Sequence, residues 1–281
     1  MTNEQERLPL LISVPHGGVD IPEELRARSL LTDVDVALDG DTWTKQLFDF
    51  EQEAAVYLAQ DTARIVVDLN RDPMDRPPEN PDGVVKTKTV LGSAVWSEAL
   101  TETETNQLIQ AFHEPYHAAL VEASAAAGLV AAVDCHTMLA DGPDKNTGGW
   151  SARPLICISN RGLPDGAAGT EPVTAPAEMM EQLRLLLEEV FADEADGTVP
   201  LVAVNTPFLG GYITQSHGRR SDLPWIQLEL NRKLYLPAEP KAVPDDADLA
   251  RLEVLNRKLY DVFSRFAAQA VPAPDERRTI S

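Results

Sequence analysis

The chain has 281 residues, with 24 Lys and Arg against 45 Asp and Glu, a formal charge of −21, and 43% hydrophobic residues. That length is ample for a deep core in one large domain or two small ones, which argues against disorder throughout. So acidic a balance, with no cluster of Lys and Arg, argues against nucleic acid and anionic membrane as partners. There is no run of about 18 apolar residues, and the opening MTNEQERLPL lacks the basic-then-apolar layout of a signal peptide, so a soluble, cytoplasmic protein is expected. Cys135 and Cys157 each lie in apolar surroundings and read as buried, reduced thiols.

In chain order, apolar runs at 10–14, 65–69, 129–133, 155–158, 201–204 and 226–230 read as strands. Helical periodicity spans 41–58, 102–127, 177–193 and 248–268, with Thr101 and Glu104 placed as a capping box ahead of the second. Pro- and Gly-rich stretches at 72–83, 141–149 and 161–176 read as loops. The alternation predicts an α/β fold with a mixed, mainly parallel central sheet flanked by helices. One domain over 1–271 is expected, followed by a polar, frayed tail at 272–281.

Reactive side chains fall at the ends of these runs or inside them. His16 follows LLISVP, Asn70 and Arg71 follow RIVVDL, His136 follows LVAAVDC, and Glu229 lies within WIQLEL. In open α/β sheets ligands bind beyond the carboxyl ends of strands, so these distant residues can converge on one crevice. Two imidazoles and a carboxylate make a zinc site with an open position, where bound water becomes acidic enough to supply hydroxide near neutral pH. Any one of these His taken alone is more readily a hydrogen-bonded structural imidazole than a ligand; it is their shared placement that favours ligation. The pair Gly17-Gly18 allows close approach to a metal or ligand, or forms an ordinary turn. Asp134 lies two residues before His136, on the same strand face, and can orient it or instead cap the neighbouring loop.

A rival motif, His113-Glu114-Pro115-Tyr116-His117, matches the helix-borne H-E-x-x-H of zinc proteases. Pro115 disturbs the regular turn that both His would need, so His117 is expected to pack near the pocket wall and His113 to be solvated. No G-x-S-x-G elbow, P-loop or G-x-G-x-x-G is present. A Cys135 nucleophile is disfavoured because its strand neighbour His136 points to the other face.

Taken in order, LISVPHGG, DGDTWTKQLFDF, ARIVVDLNRDP, EPYHAAL, VDCHTM, NTPFLGGYIT and IQLELNRKLY resemble the N-formylglutamate amidohydrolase (deformylase) family across most of residues 8 to 236. The resemblance implies a fold related to zinc carboxypeptidases and aspartoacylase-type deacylases, one zinc ion, a small anionic N-acyl amino acid as substrate, and a place in histidine catabolism. It assigns His16 and His136 as metal ligands, with Asp41 as the carboxylate ligand and Asp39 as its nearest competitor; either Asp can instead cap the following helix. Glu229 resembles the general base, Asn70 and Arg71 a pair gripping a substrate carboxylate, and Arg64 an oxyanion-stabilising residue. Gly210, Gly211 and Tyr212 resemble a substrate loop in which Tyr212 closes over the ligand. His217 stands where the family commonly has Tyr, and Thr137 where it has Ser. The same scaffold would suit a carboxypeptidase-like or other N-acyl amino acid deacylase, or a non-catalytic binding protein; retention of Glu229 with both His favours catalysis.

Overall fold

The structure is a computed structural model that describes residues 7–143 and 148–270. In chain order it contains β1 (Leu8–Val14), α1 (Glu23–Arg26), α2 (Asp33–Asp39), α3 (Thr44–Leu47), β2 (Ala54–Ala59), α4 (Glu102–Leu108), a π-helical turn (Ile109–His113) and α5 (Glu114–Ser124). There follow β3 (Ala131–Met138), β4 (Asp141–Pro143), β5 (Trp150–Ala152), β6 (Ile156–Ser159), α6 (Ala177–Val190), β7 (Val202–Val204), α7 (Tyr212–Gly218), β8 (Trp225–Asn231) and α8 (Asp246–Ala270). The expected tail at 272–281 lies outside the described residues, as do positions 144–147 of the expected 141–149 loop. Among the described residues no helix is long and apolar enough to cross a membrane.

Six strands form one sheet in the order β2-β1-β3-β8-β6-β7, with every neighbouring pair parallel except β6 and β8. β4 and β5 make a separate two-stranded hairpin. The two-residue period of a strand explains the layering. Leu10, Ile12, Val133, Cys135, Ile226 and Leu228 face a core shared with α6 and α8, whereas Leu11, Ala132 and Trp225 face the one shared with α4, α5 and the 63–96 segment.

Three expected elements differ. The 41–58 helix is a single turn, α3, followed by strand β2, because 54–59 pairs along β1 and extends the sheet, which no helical conformation could do. The expected strand at 65–69 has no strand pairing; it is a buried apolar segment of turns packed in the second core. The expected 102–127 helix ends at Ser124 and passes through a π turn at 109–113. Pro115 has no N–H to give to the preceding turn, and wider π spacing absorbs that gap where α5 begins. The Thr101–Glu104 capping box is present.

Candidate active site

The strand order reverses at β1, whose partners β2 and β3 lie on opposite sides, so a crevice opens at the carboxyl ends of β1 and β3. His16 lies just beyond β1, whereas His136 is inside β3 rather than past its end. Their rings meet edge to face with centroids 4.9 Å apart. His136 is in register with Glu229 of β8. Asp134 and Gln227, two residues earlier on the two strands, are also in register, so all four side chains share the face turned away from Cys135. Cys135 itself is buried in the opposite core, which pushes its thiol well above the usual range and leaves it inert.

Asp41 enters from the loop after α2. Its backbone N–H donates to the His16 carbonyl at 3.0 Å, which fixes that loop beside β1. The side-chain Oδ2 lies 3.0 Å from His136 Nδ1 and 3.6 Å from His16 Nδ1. Oδ1 accepts from Arg232 Nη2 at 3.2 Å. Asp39 is turned elsewhere: it pairs with buried Lys86 at 3.0 Å and accepts from the Val90 N–H. The glycines after His16 serve packing, since a Cβ at Gly18 would lie 2.1 Å from the Asp61 carbonyl oxygen and one at Gly17 would strike Lys45.

One ligand atom from each of His16, Asp41 and His136 lies within 4.8 Å of the others, and all three residues are buried. The far nitrogens are held by carboxylates: His16 Nε2 donates to Asp68 at 2.8 Å and His136 Nε2 to Asp134 at 2.9 Å. Asp134 in turn accepts from Ser13 Oγ at 2.9 Å. Such outer carboxylates fix the tautomer and ring orientation of a metal-binding His. His16 Nδ1 is buried with no hydrogen-bond partner, an arrangement that costs free energy unless something fills it. A divalent cation fits that atom and its two neighbours. Burial alone would depress the His136 pKa, but Asp134 and Asp41 at its two nitrogens override it and hold it well above the ordinary value. A cation held at the trio would supply positive charge beside the same carboxylates.

Glu229 completes the group. Burial pushes its pKa up to about 7, against the pull of the His136 charge, and Gln227 Nε2 donates to its Oε1 at 3.0 Å. Gln227 Oε1 accepts from the Gly211 N–H at 2.7 Å, so Glu229 is tied to the 210–211 loop. A cavity of about 520 Å³ opens over these residues, and its walls include Arg64, Asn70, Arg71, Gly210 and Gly211. Arg64 Nε donates to Asp68 at 2.9 Å, and its Nη1 lies 3.7 Å from Asp41. Arg71 Nη2 pairs with Asp82 at 2.8 Å. Asn70 Oδ1 accepts from the Ile213 N–H at 2.8 Å and thereby caps α7 from a distance.

Tyr212 does not line the cavity. It opens α7 with its ring turned toward α5, 5.2 Å from His117 and 5.8 Å from His113. His217, also outside the cavity lining, is buried between His117 and Trp225, 5.1 Å from each. His113, expected to be solvated, is only 3% exposed. It and His117 do project together, stacked at 4.2 Å, so Pro115 is not what denies them a metal. Their nitrogens are already used: His113 Nε2 donates to the Arg71 carbonyl and His117 Nε2 to the Leu69 carbonyl, each at 2.9 Å. His217 Nε2 donates to His117 Nδ1 at 2.8 Å. The motif therefore clamps the backbone on both sides of Asn70. Thr137 lines the cavity, its N–H donating to Asp41 and its Oγ1 accepting from Arg232.

Four side chains of the site were not singled out in the sequence. Asp68 and Gln227 carry a signal, polar residues inside apolar runs, and Arg232 lies three residues past Glu229. Arg153 has none.

The family model for N-formylglutamate amidohydrolase matches residues 8–236. An N-formylglutamate deformylase of Pseudomonas putida is 27% identical over 264 residues, covering 86% of this chain and 87% of the relative. That of Pseudomonas aeruginosa is 29% identical over 240 residues, covering 82% and 83%. A crystal structure of N-formylglutamate amidohydrolase from Ralstonia eutropha superposes with a TM-score of 0.71 at 22% identity over 95% of both chains, which shows the shared fold.

Proposed function

The chain belongs to the N-formylglutamate amidohydrolase family, and from that premise we propose that it hydrolyses the N-formyl amide of N-formyl-L-glutamate, or a close N-acyl amino acid, to formate and the free amino acid with one zinc ion. The observation that carries this reading is the trio His16, Asp41 and His136 beside a base whose pKa lies at about 7. Zinc held by those three residues would polarise the formyl oxygen and acidify water.

The chain's own side chains supply the rest. Glu229 accepts a proton from the attacking water at Oε1 or Oε2 and delivers it to the departing amine nitrogen as the C–N bond breaks. A base near pH 7 is suited to both transfers, and the Gln227 amide keeps its carboxyl aimed into the cavity. Arg64, held by Asp68, presents its remaining N–H groups to the negative charge that develops on the formyl oxygen. Asn70 and Arg71 hold a substrate carboxylate, and a guanidinium fork suits that better than an ammonium. Because the net charge is −21, an anionic substrate gains nothing from the global field and depends on these local cations.

The test is formate release from N-formyl-L-glutamate, quantified against glutamate formed. Equal amounts of the two products are expected. Absence of turnover by zinc-loaded protein on every N-acyl amino acid would instead support a binding protein that keeps the fold.

A further inference from the structure

Five cationic side chains line the cavity: Arg64, Arg71, Lys86, Arg153 and Arg232. Four are matched by carboxylates, through Asp68 at 2.9 Å, Asp82 at 2.8 Å, Asp39 at 3.0 Å and Asp41 at 3.2 Å respectively. Among the described residues the Arg153 guanidinium has neither an ion pair nor a hydrogen bond, in a chain with 45 acidic residues. Its position is nevertheless built. Its guanidinium carbon lies 4.9 Å from the centre of the Phe208 ring, itself part of the cavity wall. Gly142 of β4 leaves the space it occupies, since a Cβ there would lie 2.0 Å from Nη2.

The sheet explains how Arg153 reaches the site. β6 is antiparallel to β8, with Ile156 opposite Leu230, so the start of β6 lies at the carboxyl end of β8, where Glu229 stands. Asn231 Nδ2 donates to the Arg153 carbonyl at 3.3 Å and holds that junction. Arg71 comes from another wall, on the segment after β2. A partly desolvated cation without a counter-ion is unfavourable until an anion completes it, and a fork of N–H donors fits a carboxylate. Burial draws the Arg153 pKa down, partly offset by Glu229, yet a guanidinium stays charged.

We propose that Arg153 receives the side-chain carboxylate of the substrate and makes the site selective for N-formyl amino acids with an acidic side chain. This rests on the hydrolysis proposed above, with Arg71 and Asn70 holding the α-carboxylate. The experiment is steady-state kinetics of wild type, Arg153→Met and Arg153→Lys, zinc-loaded, on N-formyl-L-glutamate, N-formyl-L-glutamine and 4-formamidobutyrate. Arg153→Met should raise KM for N-formyl-L-glutamate about 10- to 100-fold with kcat within about threefold, while KM for N-formyl-L-glutamine moves by less than about threefold. Arg153→Lys should restore part of the loss.

Equal increases for the glutamate and glutamine substrates, or no increase, would overturn the proposal. So would a penalty that persists with N-formyl-L-glutamine and vanishes with 4-formamidobutyrate, which would assign Arg153 to the α-carboxylate. If wild type turns over none of the three, the hydrolysis reading fails by itself. Calorimetry with glutarate and butyrate then decides: wild type should prefer glutarate and Arg153→Met should bind the two alike, and an equal preference in both proteins would overturn the assignment.

Discussion

Glu229 sits where a carboxylate is hard to ionise, 7% exposed between Leu228 and Leu230, and that burial brings its pKa to about 7. Glu229→Gln keeps the shape and removes the proton acceptor, so kcat should fall about 100- to 10,000-fold while zinc content is unchanged. Loss of zinc in parallel would make Glu229 a ligand instead. Asp68→Asn tests the carboxylate behind His16: zinc affinity should weaken about 10- to 100-fold, read by chelator competition. At this scale His16, His136 and Glu229 were visible because reactive types stand out beside apolar runs, whereas Asp41 was named only through the family resemblance. Asp68, Gln227 and Arg232 act through partners 52, 16 and 191 positions away, and Arg153 pairs with no carboxylate among the described residues, so these pairings have no local signature.

The 210–211 loop, the start of α7 and the 69–71 segment form one interlocked unit around Asn70. Its amide oxygen takes the Ile213 N–H, and a Cβ on Gly211 would lie 2.2 Å from its Nδ2. Gly211→Ala should therefore displace Asn70 and raise KM about 10-fold or more with little change in thermal midpoint. An unchanged KM would show that the Asn70 position does not matter for substrate. The strand periods at 10–14, 155–158, 201–204 and 226–230 correspond to observed strands, since each alternates or fills a buried strand in the sheet. At 54–59 an apolar stretch was read with the helical period, and pairing with β1 makes it a strand. At 65–69 five apolar residues were satisfied by burial without a ladder, a distinction that periodicity does not contain.

Across the whole molecule, all five His are gathered around one region, three of them outside the metal-competent trio. Burial, with the charge of His113 adding, lowers His117 to about 3, and burial lowers His217 to about 4. In the unfolded chain both titrate near about 6.5, so below that pH the unfolded state binds more protons and stability falls as pH drops toward about 4. Glu229, raised to about 7, acts in the opposite sense between its unfolded value and neutrality, but His117 and His217, joined by His113, which burial also lowers, outweigh it. Urea midpoints should decline from pH 6.5 to 4.5, and the decline should flatten in a His117→Gln, His217→Gln double variant. An identical slope would remove the pair from the acid response.

The central claim is that residues from three separated segments hold one ion needed for amide hydrolysis. The most direct measurement is titration of zinc into metal-stripped protein while formate release from N-formyl-L-glutamate is followed, in wild type and in His16→Ala. Activity should rise linearly and saturate at one zinc per chain in wild type, with neither tight binding nor turnover in His16→Ala. Full turnover by the stripped protein, or undiminished stoichiometric activation of His16→Ala, would contradict the account.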